Sequence, residues 1–331
     1  MNYFFDYLDD NKIKHVIHLG DLFDRRKFLN ILTSSVCRNT FLIPLQERGI
    51  ETHIIAGNHD QYYKDTYEVN ALDEFVNNRY SNIRSYNTPK MITLDGLDIQ
   101  LMPWINPKNQ IESFDRLSNT SAQVLMGHFE INGFELFRGV MSDHGLETHV
   151  FDRYDLVFSG HYHHKSSKNN IHYIGAFAEY TWSDYKDERG FTILDTSTRE
   201  FQFIRNPHNI FQMITYDDSK IDDMVSVVQN MDLKDFKDKY VKVLCASKNN
   251  QYAFDMFVEN LYSANPIDVS IIDDISLVTE TEDTENIDQA QDTTTILTNY
   301  IKSLTLNVNN DKMVTFIHDI YNEALSSEHV I

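Results

Sequence analysis

Apolar positions in the first two-thirds of the chain follow two rhythms, one of strands and one of helices. Residues 15–19 (His-Val-Ile-His-Leu) form a short run that stops at Gly20, as a buried strand does. Over 28–48, Phe28, Leu32, Val36, Phe41 and Leu45 recur near the 3.6-residue period, predicting a helix closed by Gly49. Residues 50–56 read as the next strand. A helix between two strands implies a parallel pair with a right-handed crossover. Strands are expected at 83–86, 91–94 and 97–102, with turns at Pro89 and Asp95-Gly96. Further strands are expected at 123–126, 156–159, 171–174, 191–194 and 200–204. The pattern predicts a layered α/β domain over residues 1–207, two sheets face to face with flanking helices.

Residues 208–272 read as a smaller α/β unit, with strands at 240–246 and 267–272 around a helix at 252–262. Residues 273–293 are rich in carboxylates, and from Asp273 to Asp292 there is no Lys or Arg, which predicts a solvated linker. Within 294–331, Ile296, Leu297, Tyr300, Ile301 and Leu304 line one face of a predicted helix. Val314, Ile317, Tyr321 and Leu325 line one face of a second. An amphipathic pair beyond an acidic tether can fold back on its own domain or dock on a partner's helices, and the tether favours docking.

The 331 residues, 41% hydrophobic and 12% aromatic, are enough for a sizeable core. A formal net charge of −21 argues against a protein that coats DNA through a basic surface. It leaves room for a nuclease whose phosphates are held by divalent cations, a few local Arg and Lys, or a partner. Cys37 and Cys245 are the only cysteines and fall in different predicted domains, so no disulfide framework is expected. No apolar stretch approaches the ~18 residues of a membrane span, and the first residues carry no signal-peptide pattern. A soluble, cytoplasmic protein with no membrane partner is expected.

Against this background four short runs stand out: Gly20-Asp21-Leu22-Phe23-Asp24, Gly57-Asn58-His59-Asp60, Gly127-His128 and Gly160-His161-Tyr162-His163. Each lies where a predicted strand gives way to a loop. Together they offer a carboxylate, an amide oxygen and imidazoles, a mixture suited to Mn²⁺ or Fe²⁺ more than to Ca²⁺. Hydrolysis of a phosphodiester needs a water-derived nucleophile and neutralised phosphoryl oxygens. Two cations about 3.5–4 Å apart supply both if one carboxylate bridges them. Asp21 suits the bridge, Asn58, His128 and His161 can complete one cation, and His163 is placed for the other. His59 is assigned to hydrogen-bond the scissile phosphate and assist the leaving oxygen, with Asp60 orienting its ring. His15, His18, His53 and His172 lie inside predicted strands and are read as structural. His164 is one position out of phase and is left out of the metal site.

With these motifs in order, the chain resembles the calcineurin-like metallophosphoesterases. Within them it is similar to the SbcD-type nuclease subunits, and among these to the recombination endonuclease subunits of T-even-like bacteriophages. The likeness rests on the four runs together with Arg25-Arg26-Lys27, Phe129-Glu130, Asn132-Gly133-Phe134, Arg138-Gly139, Ser142 to Glu147, Tyr173-Ile174-Gly175 and Arg189-Gly190-Phe191. It spans essentially the whole chain. The resemblance implies two Mn²⁺ ions bridged by Asp21, one held by Asn58, His128 and His161 and the other by His163. It implies that His59 is the transition-state histidine and that 208–272 is a DNA-capping domain. Residues 294–331 would bind an SbcC-type, SMC-like ATPase, and a homodimer is possible. DNA is the implied substrate, in recombination and repair within the host cytoplasm if the chain is phage-encoded.

One departure from the pattern bears on activity. Family members open with a strand carrying Asp-x-His, which supplies two ligands to the cation shared by Asp21 and His163. Here residues 1–8 already correspond to the helix before the Gly20 strand, so that first strand is expected to be missing. The leading expectation is a two-metal DNA exonuclease/endonuclease subunit. The alternatives are a truncated, catalytically weak or silent copy that binds its partner, and a small-molecule phosphodiesterase on the same scaffold.

Overall fold

A computed structural model describes residues 1–137, 140–273, 312–314 and 316–317. The chain starts with helix α1 (Asn2–Asp10), which buries Phe4, Phe5 and Leu8. Strand β1 (His15–His18) follows, then α2 (Ile31–Cys37), α3 (Ile43–Glu47), β2 (Glu51–Ile55), α4 (Ala71–Phe75) and β3 (Ile83–Tyr86). The three strands form one parallel sheet in the order β1-β2-β3, with His15 opposite Glu51 and Thr52 opposite Ile83. Successive residues of β2 serve opposite faces, as a strand's period of two requires. Ile54 joins a core with Phe4, Leu8, Leu45 and Leu72 on one face. Ile55 turns to the other, where it packs with Ile99, Leu101 and Val124.

The helix expected over 28–48 is broken. It begins only at Ile31, where the Asn30 side chain accepts the Thr33 N–H at 2.7 Å. A π-helical turn at Arg38–Leu42 then separates α2 from α3. Pro44 cannot donate its backbone hydrogen bond, and a widened turn relieves the clash of its ring with the preceding turn. The extra residue rotates the apolar stripe. Leu45 is fully buried, whereas Phe28, Leu32 and Val36 are 53%, 74% and 49% exposed.

The second sheet has six strands: β4 (Lys90–Leu94), β5 (Leu97–Met102), β6 (Val124–His128), β9 (Leu156–Gly160), β10 (Ser166–Lys168) and β11 (Ile171–Tyr173). Their order across the sheet is β10-β11-β9-β6-β5-β4. Short β7 (Glu135–Phe137) and β8 (Val140–Met141) pair outside it, and helix α5 (Gln110–Asn119) precedes β6. Strands β4 and β5 form the expected hairpin through Asp95 and Gly96, both at positive φ. Strands β5, β6, β9 and β11 run parallel, so their C-terminal ends share one edge. Leu19 and Ile55 of the first sheet pack with Ile99, Leu101, Val124, Met126 and Phe158 of the second. The two sheets therefore lie face to face. The outer face of the second is covered by Leu117, Phe129, Phe151 and Tyr154. A hairpin of β12 (Gly190–Leu194) and β13 (Phe201–Arg205) completes this layered α/β unit.

Among the described residues, those of 1–180 and 186–209 make up one compact unit; Thr181–Tyr185 and those from Ile210 on make up the other. The second contains three parallel strands, β14 (Phe211–Asp217), β15 (Tyr240–Ser247) and β16 (Asp268–Ile272), in that order across the sheet. Helices α6 (Met224–Gln229) and α7 (Gln251–Ser263) pack on it through Val228, Phe254, Phe257 and Leu261. The expected strands and helix are present, and β14 and α6 are additions to the sequence reading. The acidic linker and terminal helices fall outside the described residues, except that 312–314 and 316–317 are helical. Among the described residues no helix is long and apolar enough to cross a membrane.

Candidate metal centre

Four strand ends deliver the polar residues. Asp21 follows β1, Asn58 follows β2, His128 is the last residue of β6, and His161 is the first residue after β9. Two of the four adopt a backbone that non-glycine residues avoid: φ is 54° at Asp21 and 83° at His161. Such conformations cost on the order of 1–3 kcal/mol each and persist where the surroundings over-determine them. The strand ends approach so closely that side chains are excluded between them. A Cβ on Gly20 would sit 2.3 Å from His128 Nδ1, and one on Gly57 would sit 2.1 Å from Asp21 Oδ1.

Donor atoms of Asp21, His128 and His161 all lie within 4.8 Å of one another. Asn58 Oδ1 lies 2.9 Å from His128 Nε2 and 3.1 Å from His161 Nδ1. Asp21 Oδ2 is 3.3 Å from the same His128 Nε2. His128 Nδ1 is 2.6 Å from the Leu19 carbonyl, which can only accept, so Nδ1 carries the proton. In the neutral ring, Nε2 then presents a lone pair to two oxygens. Lone pairs of a carboxylate, an amide oxygen and two imidazoles converging in a buried place repel one another unless a cation, or a proton on Nε2, sits among them. The Leu19 carbonyl fixes the His128 ring and tautomer from behind, as ligand histidines require. The residues present fit a divalent ion.

The electrostatics follow from this crowding. Burial opposes the Asp21 charge, but His128 and the His59 N–H outweigh it and hold the carboxyl well below the usual range. Burial also opposes protonation of His128, and the adjacent Asp21 carboxylate reverses that, raising its pKa. Burial, reinforced by His128, keeps His161 well below an ordinary imidazole. Asp60 is pushed up to about 7 by burial and by the Asp21 charge, against the pull of the Gly57 and Phe23 N–H groups.

His163 is expected at a second cation and not in this close group, whereas the role of Asp60 differs from the one expected. His163 is outside the close group; its carbonyl accepts the Ala176 N–H at 3.0 Å and a bond from Arg189, and its ring lies 5.8 Å from Tyr180. The ring of His59 is not oriented by Asp60. Its Nδ1 donates to the Asp24 carbonyl, while its backbone N–H donates to Asp21 Oδ1 at 2.8 Å. The Asp60 carboxylate is engaged instead by the backbone N–H groups of Asp21, Gly57 and Phe23. The reason is geometric: Asp60 is buried beneath the loop that follows β1, whereas the His59 ring reaches the solvent side.

Three neighbours of the centre were given no role there by the sequence reading. His18 lies close enough to Asp21 and His128 for their charges to act on it, and burial brings its pKa down to about 4. Its position at the end of β1, three residues before Asp21, was the available signal. Arg26 feels the Asp21 charge, and its buried Nη1 makes no hydrogen bond. Trp104 packs with its ring 5.2 Å from that of His161 and 6.1 Å from that of His128. Nothing in its local sequence marks it.

Comparison with known proteins accords with this geometry. Residues 1–165 match the family model described as calcineurin-like phosphoesterase. Exonuclease subunit 1 of enterobacteria phage T4 is 30% identical over 322 residues, covering 96% of this chain and 90% of that protein. The SbcD subunit of the SbcCD nuclease from Staphylococcus epidermidis is 26% identical over 187 residues, 46% of this chain and 48% of that protein. Its counterpart from Staphylococcus saprophyticus is 22% identical over 218 residues, 56% of each. Metallophosphoesterases bind divalent metal, the group that the converging donors of Asp21, Asn58, His128 and His161 suit. With a relative matched across nearly its whole length, and the strand ends meeting as they do, the chain belongs to the calcineurin-like phosphoesterases.

Proposed function

We propose that this protein is the nuclease subunit of a DNA-processing complex, hydrolysing phosphodiesters of DNA with Mn²⁺ as its metal. The observation that carries this reading is the meeting of Asp21, Asn58, His128 and His161 at one edge of two facing sheets. Those four residues would hold one cation, and Asp21 with His163 would serve a second. The bound metal supplies neutralisation of phosphoryl charge and activation of water at neutral pH. The remaining work belongs to side chains. His59 presents its ring to the scissile phosphate and the leaving oxygen, held there by the Asp24 carbonyl on Nδ1, which leaves Nε2 to face the substrate. Its backbone N–H steadies the Asp21 carboxylate. The Arg26 guanidinium adds positive charge beside Asp21, where a DNA phosphate arrives.

The relatives' names supply the rest of the reading: an exonuclease subunit in phage T4 and a subunit of SbcCD in staphylococci. By that likeness the chain acts with a second, ATPase-type subunit, docked through residues 294–331, and residues 208–272 guide the DNA. Its place of work is the cytoplasm.

The test is hydrolysis of linear duplex and circular single-stranded DNA by the full chain with added Mn²⁺. Cleavage that EDTA abolishes is expected. His59→Ala should lose it by a factor of about 10² or more, on the order of general acid–base assistance, while calorimetry finds Mn²⁺ bound as in wild type. Loss of metal together with activity would remove His59 from its assigned role. A stoichiometry of two Mn²⁺ per chain is expected; one or none favours a catalytically silent, partner-binding subunit.

A further inference from the structure

Beside the metal centre lies a cavity of about 260 Å³ that the phosphate chemistry leaves unused. Its walls include Trp104, Pro107, Phe114 and Leu146, with Gln110 and Glu130 as polar members, and His128 forms part of its lining. The cavity is therefore continuous with the candidate ligands. Trp104 belongs to both, since its ring contacts those of His128 and His161. Phe114 is 36% exposed although it sits on α5 facing this cavity, and Ile111 one turn away is 87% exposed. Pockets for whole small molecules run from roughly 300 to 1,000 Å³. This one has room for a single planar heterocycle.

We propose that this cavity is a nucleobase subsite, which takes one unstacked base of a single strand while the adjoining phosphate reaches the metal centre. The inference rests on the nuclease reading and narrows its substrate to strands whose bases are free to leave the stack. Charge makes such a subsite useful. A chain with net charge −21 gains little from counterion release on its own surface. Stacking on aromatic rings is independent of charge and tolerant of sequence, because every base has a π-face. A base paired in a duplex must first unstack, at a cost, before it can enter, so frayed ends, loops and single strands are selected. The polar members add discrimination at the base edge. Glu130 Oε1 is held 3.0 Å from His144 Nε2, which leaves its other oxygen to accept from an exocyclic amino group. The Gln110 side chain offers both a donor and an acceptor.

The experiment compares binding of the full chain to a single-stranded oligonucleotide carrying one 2-aminopurine with binding to the same oligonucleotide carrying an abasic site there. Mn²⁺ is present and the dead variant His59→Ala prevents turnover. Quenching of 2-aminopurine is expected, with affinity for the base-containing strand roughly fivefold or more above the abasic one. Phe114→Ala, and Trp104→Ala in a second variant, should bring that ratio towards one, whereas Trp104→Phe should retain most of it. Equal affinities in the parent protein, or a ratio untouched by Phe114→Ala, overturn the subsite. Failure of the nuclease reading shows elsewhere, as absence of Mn²⁺-dependent DNA hydrolysis by the wild-type chain, whatever the binding ratio.

Discussion

Asp60 Oδ2 lies 2.8 Å from the backbone nitrogen of Asp21, and the same oxygen accepts the N–H of Gly57 at 2.8 Å. One buried carboxylate thus ties together the loops after β1 and β2, and holds Asp21 in its left-handed backbone conformation. Its other oxygen takes the N–H of Phe23 at 3.3 Å. Asp60 acts on the metal centre from behind, through backbone.

Replacing it by Asn turns one acceptor into a donor that must face one of these N–H groups. An unsatisfied buried pair costs about 1–3 kcal/mol, and loss of an outer support typically lowers metal affinity about 10- to 100-fold. Asp60→Asn is therefore expected to melt earlier than wild type and to bind Mn²⁺ about tenfold more weakly, or worse, by calorimetry. Wild-type affinity in a folded variant would leave Asp60 as a turn residue with no bearing on the metal.

Gly57 makes the sharper steric case. A methyl group there meets Asp21 Oδ1 at 2.1 Å and Asp21 N at 2.4 Å, and both are held by hydrogen bonds. Overpacking of this kind costs typically about 1–3 kcal/mol, and here the strain falls on the carboxylate itself. Gly57→Ala should lose detectable Mn²⁺ binding while keeping the circular dichroism of the wild-type fold. Retained binding would mean that the loops can part without moving Asp21.

The strand ends were legible because each motif pairs a strand-like run with a glycine and a metal-competent side chain. Asp21, Asn58, His128 and His161 do meet, although they come from four separate strand ends. The face of the helix at 28–48 was not legible. A period count assumes continuous α-helical geometry, and the π turn before Pro44 breaks it. The job of Asp60 was hidden for a different reason: its partners are backbone N–H groups of residues near 21, which leave no mark in side-chain identity. Trp104 gave no signal because its proximity to His161 arises from the pairing of β5, β6 and β9. Strand β14 leaves no such mark, since the strand, helix and strand at 240–272 satisfy a βαβ pattern without it.

Residues 294–331 carry the partner proposal, on the strength of two apolar stripes beyond an acidic run. Removing them should leave Mn²⁺-dependent hydrolysis by the isolated chain within about threefold of wild type, since a docking segment contributes mainly to affinity for its partner. Co-purification with the ATPase subunit should disappear. A truncated chain that still co-purifies would move the docking surface elsewhere.

The second unit offers a pH-dependent test of its own. Asp218, which follows β14, accepts the backbone N–H groups of Asn249 at 2.9 Å and Asn250 at 2.7 Å, and the Ser247 hydroxyl at 2.9 Å. It thereby fixes the turn from β15 into α7. Burial works against its charge, but the Asn250 and Asn249 N–H groups outweigh that and lower its pKa. A carboxyl depressed in the folded state adds stability above its unfolded pKa, about 3.9 for Asp. That stability is lost as pH falls through the folded value. Asp218→Asn should therefore melt below wild type at neutral pH, and the gap should narrow steadily as the pH is taken below about 4, where wild-type Asp218 is itself progressively protonated. A gap in melting temperature that stays constant from about pH 7 to about pH 3 would show that the shape of the side chain, and not its charge, holds this turn.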